Sequence, residues 1–200
     1  MKFVAVNWEY VERLCRKVAM QVLEDDFKPD KIVALAKGGW FVSMVLSDYL
    51  GVGIVNLDLK EGREVKVKKA LIVDDFINTG KTMRSALERV KGEVKTCALL
   101  MFQNSRFFPD YLAEFVSDDV WVVFPWNFVE DISPLILSAL EKSESDIWGI
   151  RESLSSLGVD YINLEIAHPG KMEEVLSILE KRKMIERFEE QGKVYWRLKK

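Results

Sequence analysis

The chain has 200 residues, of which 48% are hydrophobic, enough to bury a substantial core and leave room for a small second domain. The formal net charge of −3 gives no general attraction to nucleic acid or to anionic membranes, and no apolar run is long enough to span a bilayer. The weak charge favours a small molecule as the partner. Cys15 and Cys97 lie in apolar patterns that favour buried thiols, so we expect a reducing, cytoplasmic compartment.

A helix and a short strand are the first predicted elements. Apolar residues from Val11 to Leu23 recur at steps of three and four, the spacing of one helical face. Ile32 to Ala36 is an apolar run of strand length, and it stops at Lys37-Gly38-Gly39 before a second helical pattern. Two glycines expose backbone N–H groups beside a cation, which suits an anion, although a plain turn has the same pattern.

The next predicted strand, Ile54 to Leu59, is bracketed by Gly51 and Gly53. A charged turn over residues 60–64 follows, and apolar residues from Val65 lead into a central strand. This pattern predicts a hairpin or a short lid.

The stretch from Ala70 to Met83 has the most ordered motif in the chain. Four apolar residues end at Asp74 and Asp75, and a polar loop with one glycine precedes an amphipathic helix. Unpaired N–H groups at that helix N-terminus suit a phosphate monoester, whereas the carboxylates suit hydroxyls, a metal or a developing cation. A Walker A loop would need a glycine where Asp75 stands. The predicted phosphate-binding residues are Asn78, Thr79, Gly80, Lys81 and Thr82.

Beyond this motif, an apolar strand over Thr96 to Phe102 leads to a polar loop that begins at Gln103. The segment Trp121-Val122-Val123-Phe124-Pro125-Trp126-Asn127 combines aromatic rings with a proline that ends any regular ladder. Aromatic faces beside exposed backbone groups suit a purine base. An ordinary core strand that ends in a proline turn is the alternative.

Helices are predicted over residues 134–142, 147–157 and 171–183, followed by a β-hairpin over 185–198 with its turn near Gly192. Helices followed by a hairpin resemble a winged helix. Residues 131–200 contain eleven basic and thirteen acidic residues, which favours a dimerisation or structural role over contact with DNA. His168 is the single histidine in the sequence, so a histidine-based zinc site or a catalytic cysteine–histidine pair fits this chain poorly. We interpret His168 as a turn residue.

Taken together, these motifs resemble the type I phosphoribosyltransferases. The strand, Asp-Asp, Thr-Gly-x-Thr pattern resembles their signature for phosphoribosyl pyrophosphate (PRPP), and Lys37-Gly38-Gly39 stands where arginine usually precedes the glycines. The segment from Trp121 to Asn127 is similar to the Trp-x-x-x-Pro-Trp-Asp stretch of xanthine-guanine phosphoribosyltransferases. The resemblance covers about residues 4–130. It implies an α/β, parallel-sheet, Rossmann-like core over residues 1–130, with a small α+β, winged-helix-like extension over residues 131–200.

By this resemblance, each motif has a role in transferring phosphoribose from PRPP to a purine. Asp74 and Asp75 would hold the ribose hydroxyls, support the cationic ring and serve as metal ligands, mainly through PRPP. Residues 78–82 would bind the 5′-phosphate, and residues 37–39 would receive pyrophosphate with Mg²⁺. Trp121 and the Val122 backbone would face the base. Family members usually associate, so we expect a homo-oligomer.

Three positions depart from the family pattern on the side of the base. Asn78 replaces an aspartate near N7 of the base, Gln103 replaces a lysine that recognises the 6-oxo group, and Asn127 replaces an aspartate. A longer hood with a Ser-Tyr pair is also replaced by a short turn. We favour a working purine phosphoribosyltransferase that makes a nucleoside monophosphate and pyrophosphate. A catalytically weak PRPP- or nucleotide-binding regulator, with its extension on DNA or a protein, is the alternative.

Overall fold

The computed structural model describes residues 2–35 and 37–199. It divides the chain into two compact units, Trp8–Asp118 and Met1–Asn7 with Asp119–Lys200. The predicted boundary at residue 130 differs from this division because it falls within a helix, Phe128–Lys142. Phe128 and Ile132 at the start of that helix belong to the same hydrophobic cluster as residues further along the chain, so the helix stays with the second unit.

In chain order the elements are β1 (Lys2–Ala5), α1 (Trp8–Glu24), β2 (Lys31–Leu35), α2 (Gly38–Leu50), β3 (Ile54–Leu57), β4 (Val65–Ile77), α3 (Lys81–Arg89), β5 (Val90–Phe102), β6 (Tyr111–Val116), β7 (Val120–Val123), α4 (Phe128–Lys142), β8 (Ser145–Asp146), α5 (Ile147–Ser156), α6 (Tyr161–Ala167), α7 (Lys171–Lys181), β9 (Ile185–Glu190) and β10 (Lys193–Leu198). Among the described helices, none combines the length and the apolar character that crossing a membrane requires.

Residues 8–118 form a five-stranded parallel sheet with the order β3-β2-β4-β5-β6. The central strand, β4, pairs with β2 on one side and with β5 on the other, and the register brings Val73 opposite both Ala34 and Cys97. The prediction of an α/β fold with a parallel sheet is confirmed. The hairpin predicted around residues 60–64 is wrong, because β2 lies between β3 and β4 in the sheet.

The core of this unit fixes α3 against the sheet. Val33, Ile72 and Ala98, on three neighbouring strands, share one buried cluster with Met83 and Ala86 of α3. Burying a side chain as large as methionine stabilises a fold by about 1.5–3 kcal/mol. The N-terminus of α3 is therefore held at the carboxyl end of β4, where the predicted phosphate loop lies.

Residues 2–7 and 119–199 make up the second unit. Here β1 pairs in parallel with β7, and the hairpin β9–β10 carries β8 on the free edge of β10. The hairpin turns at Gln191 and Gly192, both with positive φ, as predicted. The sequence did not predict β1 or α6, and α4 begins six residues before the predicted start at Pro134. Four helices, α4 to α7, precede this hairpin, and the winged-helix resemblance stays a prediction.

Candidate active site

The carboxyl ends of β2, β4 and β5 lie at one edge of the sheet because these strands are parallel. Most of the predicted site residues of this unit follow those strand ends. Lys37 to Gly39 come after β2, Asp74 and Asp75 are near the end of β4, and Gln103 comes directly after β5. Ligands of open α/β sheets bind at this edge. The structure thus brings together three motifs that are far apart in sequence.

Gly38 and Gly39 pack directly on the acidic pair. A Cβ atom at Gly38 would lie 1.8 Å from Oδ2 of Asp75, and one at Gly39 would lie 2.4 Å from the carbonyl oxygen of Val73 and 3.3 Å from Cα of Asp74. Both glycines are buried in the first turn of α2. The requirement for two glycines therefore comes from the contact between this turn and β4, and larger residues would displace the acids.

Asp74 is a buried carboxyl group, with only 8% of its surface exposed. Its Oδ1 accepts a hydrogen bond from the backbone N–H of Asp75 at 3.0 Å. Burial, followed by the negative charge of Asp75, raises the pKa of Asp74 well above its usual range. A cation bound beside the pair would favour the charged form of both carboxyl groups and so oppose this rise in pKa.

The phosphate loop connects the end of β4 to the start of α3. Gly80 has φ 76° and ψ 11°, the left-handed conformation that glycine adopts without a steric cost. The side chains of Asn78, Thr79, Lys81 and Thr82 are exposed. Thr79 Oγ1 accepts a hydrogen bond from the Lys81 N–H at 3.4 Å. The first N–H groups of α3 have no carbonyl partner within the helix, so the loop presents donors and two hydroxyls to an anion.

Arg84 and Phe107 also shape this loop, and the sequence motifs did not indicate them. Arg84 Nη1 donates to the carbonyl oxygen of Thr79 at 3.0 Å, and a Cβ at Gly80 would lie 2.1 Å from Cβ of Phe107. Arg84 follows the motif by two residues on the same helix, which is its only sequence signal. Phe107 belongs to the loop after β5, and nothing local links it to Gly80.

Comparison with known proteins gives the family. A family model described as the phosphoribosyl transferase domain matches residues 55–132. The crystal structure of a purine phosphoribosyltransferase from Pyrococcus horikoshii Ot3 is 32% identical, with a TM-score of 0.56 over 63% of this chain and 94% of that one. The chain belongs to the phosphoribosyltransferase family.

Curated relatives of this phosphoribosyltransferase agree with that placement. The xanthine-guanine phosphoribosyltransferase of Gluconobacter oxydans is 28% identical over 162 residues, covering 72% of this chain and 94% of the relative. That of Chromohalobacter salexigens is 27% identical over 146 residues, covering 66% and 88%. The predicted family and the prediction of an enzyme are confirmed.

The residues expected to face a base are divided between the two units of this phosphoribosyltransferase. Gln103 is exposed in the sheet unit, and its N–H donates to the carbonyl oxygen of Val116 at 3.2 Å. Trp121 and Val122 lie on β7, and Asn127 precedes α4. In the described part of the chain, Asn127 Oδ1 is buried with no hydrogen-bond partner. The role of these residues toward a base stays a prediction.

The acidic pair fits a magnesium ion that is shared with a phosphate ligand. Mg²⁺ keeps several waters and is usually held by one or two carboxylates together with substrate phosphates. Asp74 and Asp75 supply two carboxyl groups at the sheet edge, and residues 2–35 and 37–199 contain no cluster of three or more potential metal-ligating side chains. Two carboxyl groups beside a phosphate ligand are a donor set that Mg²⁺ accepts.

Proposed function

We propose that this phosphoribosyltransferase transfers the phosphoribosyl group from PRPP to a purine base, with guanine, xanthine or hypoxanthine as candidates. The products are a nucleoside monophosphate and pyrophosphate. The observation that carries the proposal is the contact of the Gly38-Gly39 turn with Asp74 and Asp75, next to the phosphate loop. That contact joins an anion site, an acidic pair and a second glycine turn at one edge of the sheet, as a phosphorylated sugar with a pyrophosphate group requires.

The sugar-phosphate half of PRPP is assigned to β4 and α3. The 5′-phosphate accepts hydrogen bonds from the N–H groups at the start of α3 and from the hydroxyls of Thr79 and Thr82. Asp74 and Asp75 accept hydrogen bonds from the ribose hydroxyls. When C1 gains positive charge as pyrophosphate departs, the negative charge of the nearby carboxylates stabilises it.

Pyrophosphate is assigned to the turn after β2. Lys37 provides a positive charge at the helix N-terminus, and Gly38 and Gly39 let the backbone approach the leaving group closely. A lysine offers a point charge where the family usually has the planar fork of arginine, so its contact with pyrophosphate is less directional. Magnesium, held by Asp74, Asp75 and PRPP itself, would neutralise charge on the leaving pyrophosphate.

The base is assigned to residues that recognise a purine by stacking and by neutral hydrogen bonds. Trp121, with 45% of its surface exposed, would supply an aromatic face, and the Val122 backbone would supply a polar contact. Asn127 would contribute through its amide nitrogen, since its Oδ1 is buried. Asn78 and Gln103 replace charged groups of the family, so each can donate or accept a hydrogen bond without taking a proton at neutral pH. The base nitrogen that attacks C1 must therefore lose its proton to solvent or to another group.

We propose a cytoplasmic homo-oligomer, in line with the family. Acidic residues outnumber basic ones over residues 131–200, which supports a dimerisation or structural role for the winged-helix-like extension over nucleic-acid binding.

The direct test incubates the pure protein with PRPP, Mg²⁺ and one base at a time, and follows nucleotide and pyrophosphate. Guanine, xanthine and hypoxanthine are the expected substrates, with adenine, uracil and orotate as comparisons. Asp75→Asn serves as the matched control, because it keeps the shape of the side chain and removes its charge. Equal amounts of nucleotide and pyrophosphate from one purine would support the proposal. Saturable PRPP binding with no product from any base would reject it and leave the regulator alternative.

A further inference from the structure

Arg84 ties the phosphate loop to the loop after β5. It lies one turn into α3, where a helical side chain leans back toward the helix N-terminus. Its Nη1 donates to the carbonyl oxygen of Thr79 at 3.0 Å, and its Nη2 donates to the carbonyl oxygen of Arg106 at 2.9 Å. The guanidinium carbon also lies 5.6 Å from the centre of the Phe107 ring. One planar side chain thus holds two loops that follow neighbouring strands.

The loop after β5 is a firm support for this contact. Ser105 is buried, its Oγ donates to the carbonyl oxygen of Phe107 at 3.2 Å, and it accepts the Phe107 N–H at 3.3 Å. The Ser105 N–H donates to the carbonyl oxygen of Phe102 at the end of β5 at 3.2 Å. Phe107, held in this way, fills the space that a Cβ at Gly80 would need. The anchor for Arg84 is therefore fixed to the sheet.

We infer that Arg84 is a positioning residue for the 5′-phosphate site, and this inference rests on the proposed function. The C=O of Thr79 and the N–H of Gly80 belong to one planar trans peptide and point in opposite directions. By binding that oxygen, Arg84 fixes the direction in which the Gly80 N–H donates. The phosphate then meets a donor that is already oriented, and binding does not have to order the loop.

The guanidinium fork is the part of Arg84 that this role requires. Its two nitrogens reach two carbonyl oxygens in a fixed geometry, whereas a lysine ammonium brings an equal charge on a single flexible nitrogen. Arg84→Lys should therefore behave much like Arg84→Gln. If the role of Arg84 were charge alone, the lysine variant would keep the wild-type affinity.

The test compares Arg84→Gln and Arg84→Lys with Arg89→Gln as the matched control. Arg89 is on the same helix, and its Nη1 donates to the carbonyl oxygen of Gly62 at 2.7 Å. Calorimetry gives the Kd of ribose 5-phosphate and of PRPP with Mg²⁺, and kinetics give kcat and KM with the purine that the wild type accepts. We expect both Arg84 variants to raise each Kd and the KM for PRPP about tenfold, which is the change in affinity that the loss of one charge-assisted hydrogen bond causes. The Tm and kcat of both Arg84 variants should stay near wild type, and so should every measured value of Arg89→Gln.

The outcomes separate this inference from the proposed function. A wild-type protein that binds neither ligand contradicts the proposed function, and the inference with it. Wild-type binding that is unchanged in Arg84→Gln, or fully restored in Arg84→Lys, overturns the positioning role alone. A fall in Tm that accounts for the lost affinity also overturns it, because a structural role would then suffice.

Discussion

Replacing Gly38 with alanine tests whether the acidic pair must stay where the structure places it. The added Cβ would lie 1.8 Å from Oδ2 of Asp75, and an ordinary contact begins at 3.4 Å, so the carboxylate must move by about 1.6 Å. A misplacement of about 1 Å at a reacting group can lower the rate about 100-fold. We therefore expect Gly38→Ala to reduce kcat/KM by about two orders of magnitude.

The same substitution should change stability far less than activity. Overpacking costs about 1–3 kcal/mol, and the lower end applies because Asp75 is half-buried and can turn toward solvent. For a chain of this size, about 1 kcal/mol lowers Tm by about 2–4 °C. Gly53→Ala is the control, since its added Cβ meets only the flexible end of Lys31 at 3.0 Å. A Gly38→Ala variant with kcat/KM within about threefold of the control would refute the reasoning, because a misplaced carboxylate should lower the rate about 100-fold.

Asp74 and Cys15 are buried and Gln21 is half-buried, and the surroundings of each side chain determine how a change there should behave. The raised pKa of Asp74 means that the folded state binds this proton more tightly than the unfolded chain, so the stability contribution falls as pH rises from the unfolded toward the folded pKa. Asp74→Asn removes this titrating group, so it should raise Tm at pH 8 relative to wild type, and a lower Tm in thermal scans at that pH would contradict this. The same variant should abolish activity, because Asp74 is proposed to bind the ribose hydroxyls. The Gln21 amide donates to the carbonyl oxygen of Leu112 at 2.9 Å and accepts its N–H at 3.2 Å, closing the free edge of β6. Gln21→Leu should lower the free energy of unfolding in urea by about 1–3 kcal/mol, and a loss under about 0.3 kcal/mol would count against this edge-capping role. Burial raises the pKa of the Cys15 thiol to about 12, so a thiol reagent should modify it only after unfolding; rapid modification of the native protein would disprove that.

The sequence predicted the parts of the fold that local pattern determines. The apolar run before Asp74 indicates a strand, and the turn at Gly80, a few residues later, indicates the start of a helix. The structure has β4, the loop and α3 at these places. The hairpin between β3 and β4 failed because a turn pattern does not reveal which strands are neighbours. β1 is four residues long and pairs with β7, more than a hundred residues away, so nothing local marks it.

The candidate site divides in the same way. Asp74, Asp75 and the phosphate loop were recognisable because one continuous motif contains them. α6 has a local signal that was missed, since the Asp160 side chain caps it by accepting the Asn163 N–H at 3.0 Å. The hydrogen bond from Arg84 to the carbonyl oxygen of Arg106 joins residues 22 apart in sequence, and only the shared sheet edge brings them together. Contacts of that kind depend on packing and have no sequence pattern of their own.

Glycine amide signals offer the most direct test of the claim that PRPP binds where β4 meets α3. The chain has eleven glycines, so protein labelled with ¹⁵N at glycine alone gives a small, assignable set of amide peaks. Ribose 5-phosphate should shift the Gly80 peak most, and PRPP with Mg²⁺ should shift Gly38 and Gly39 as well. Largest shifts at Gly170 or Gly192, which lie in the other unit, with Gly80 unmoved, would contradict the account.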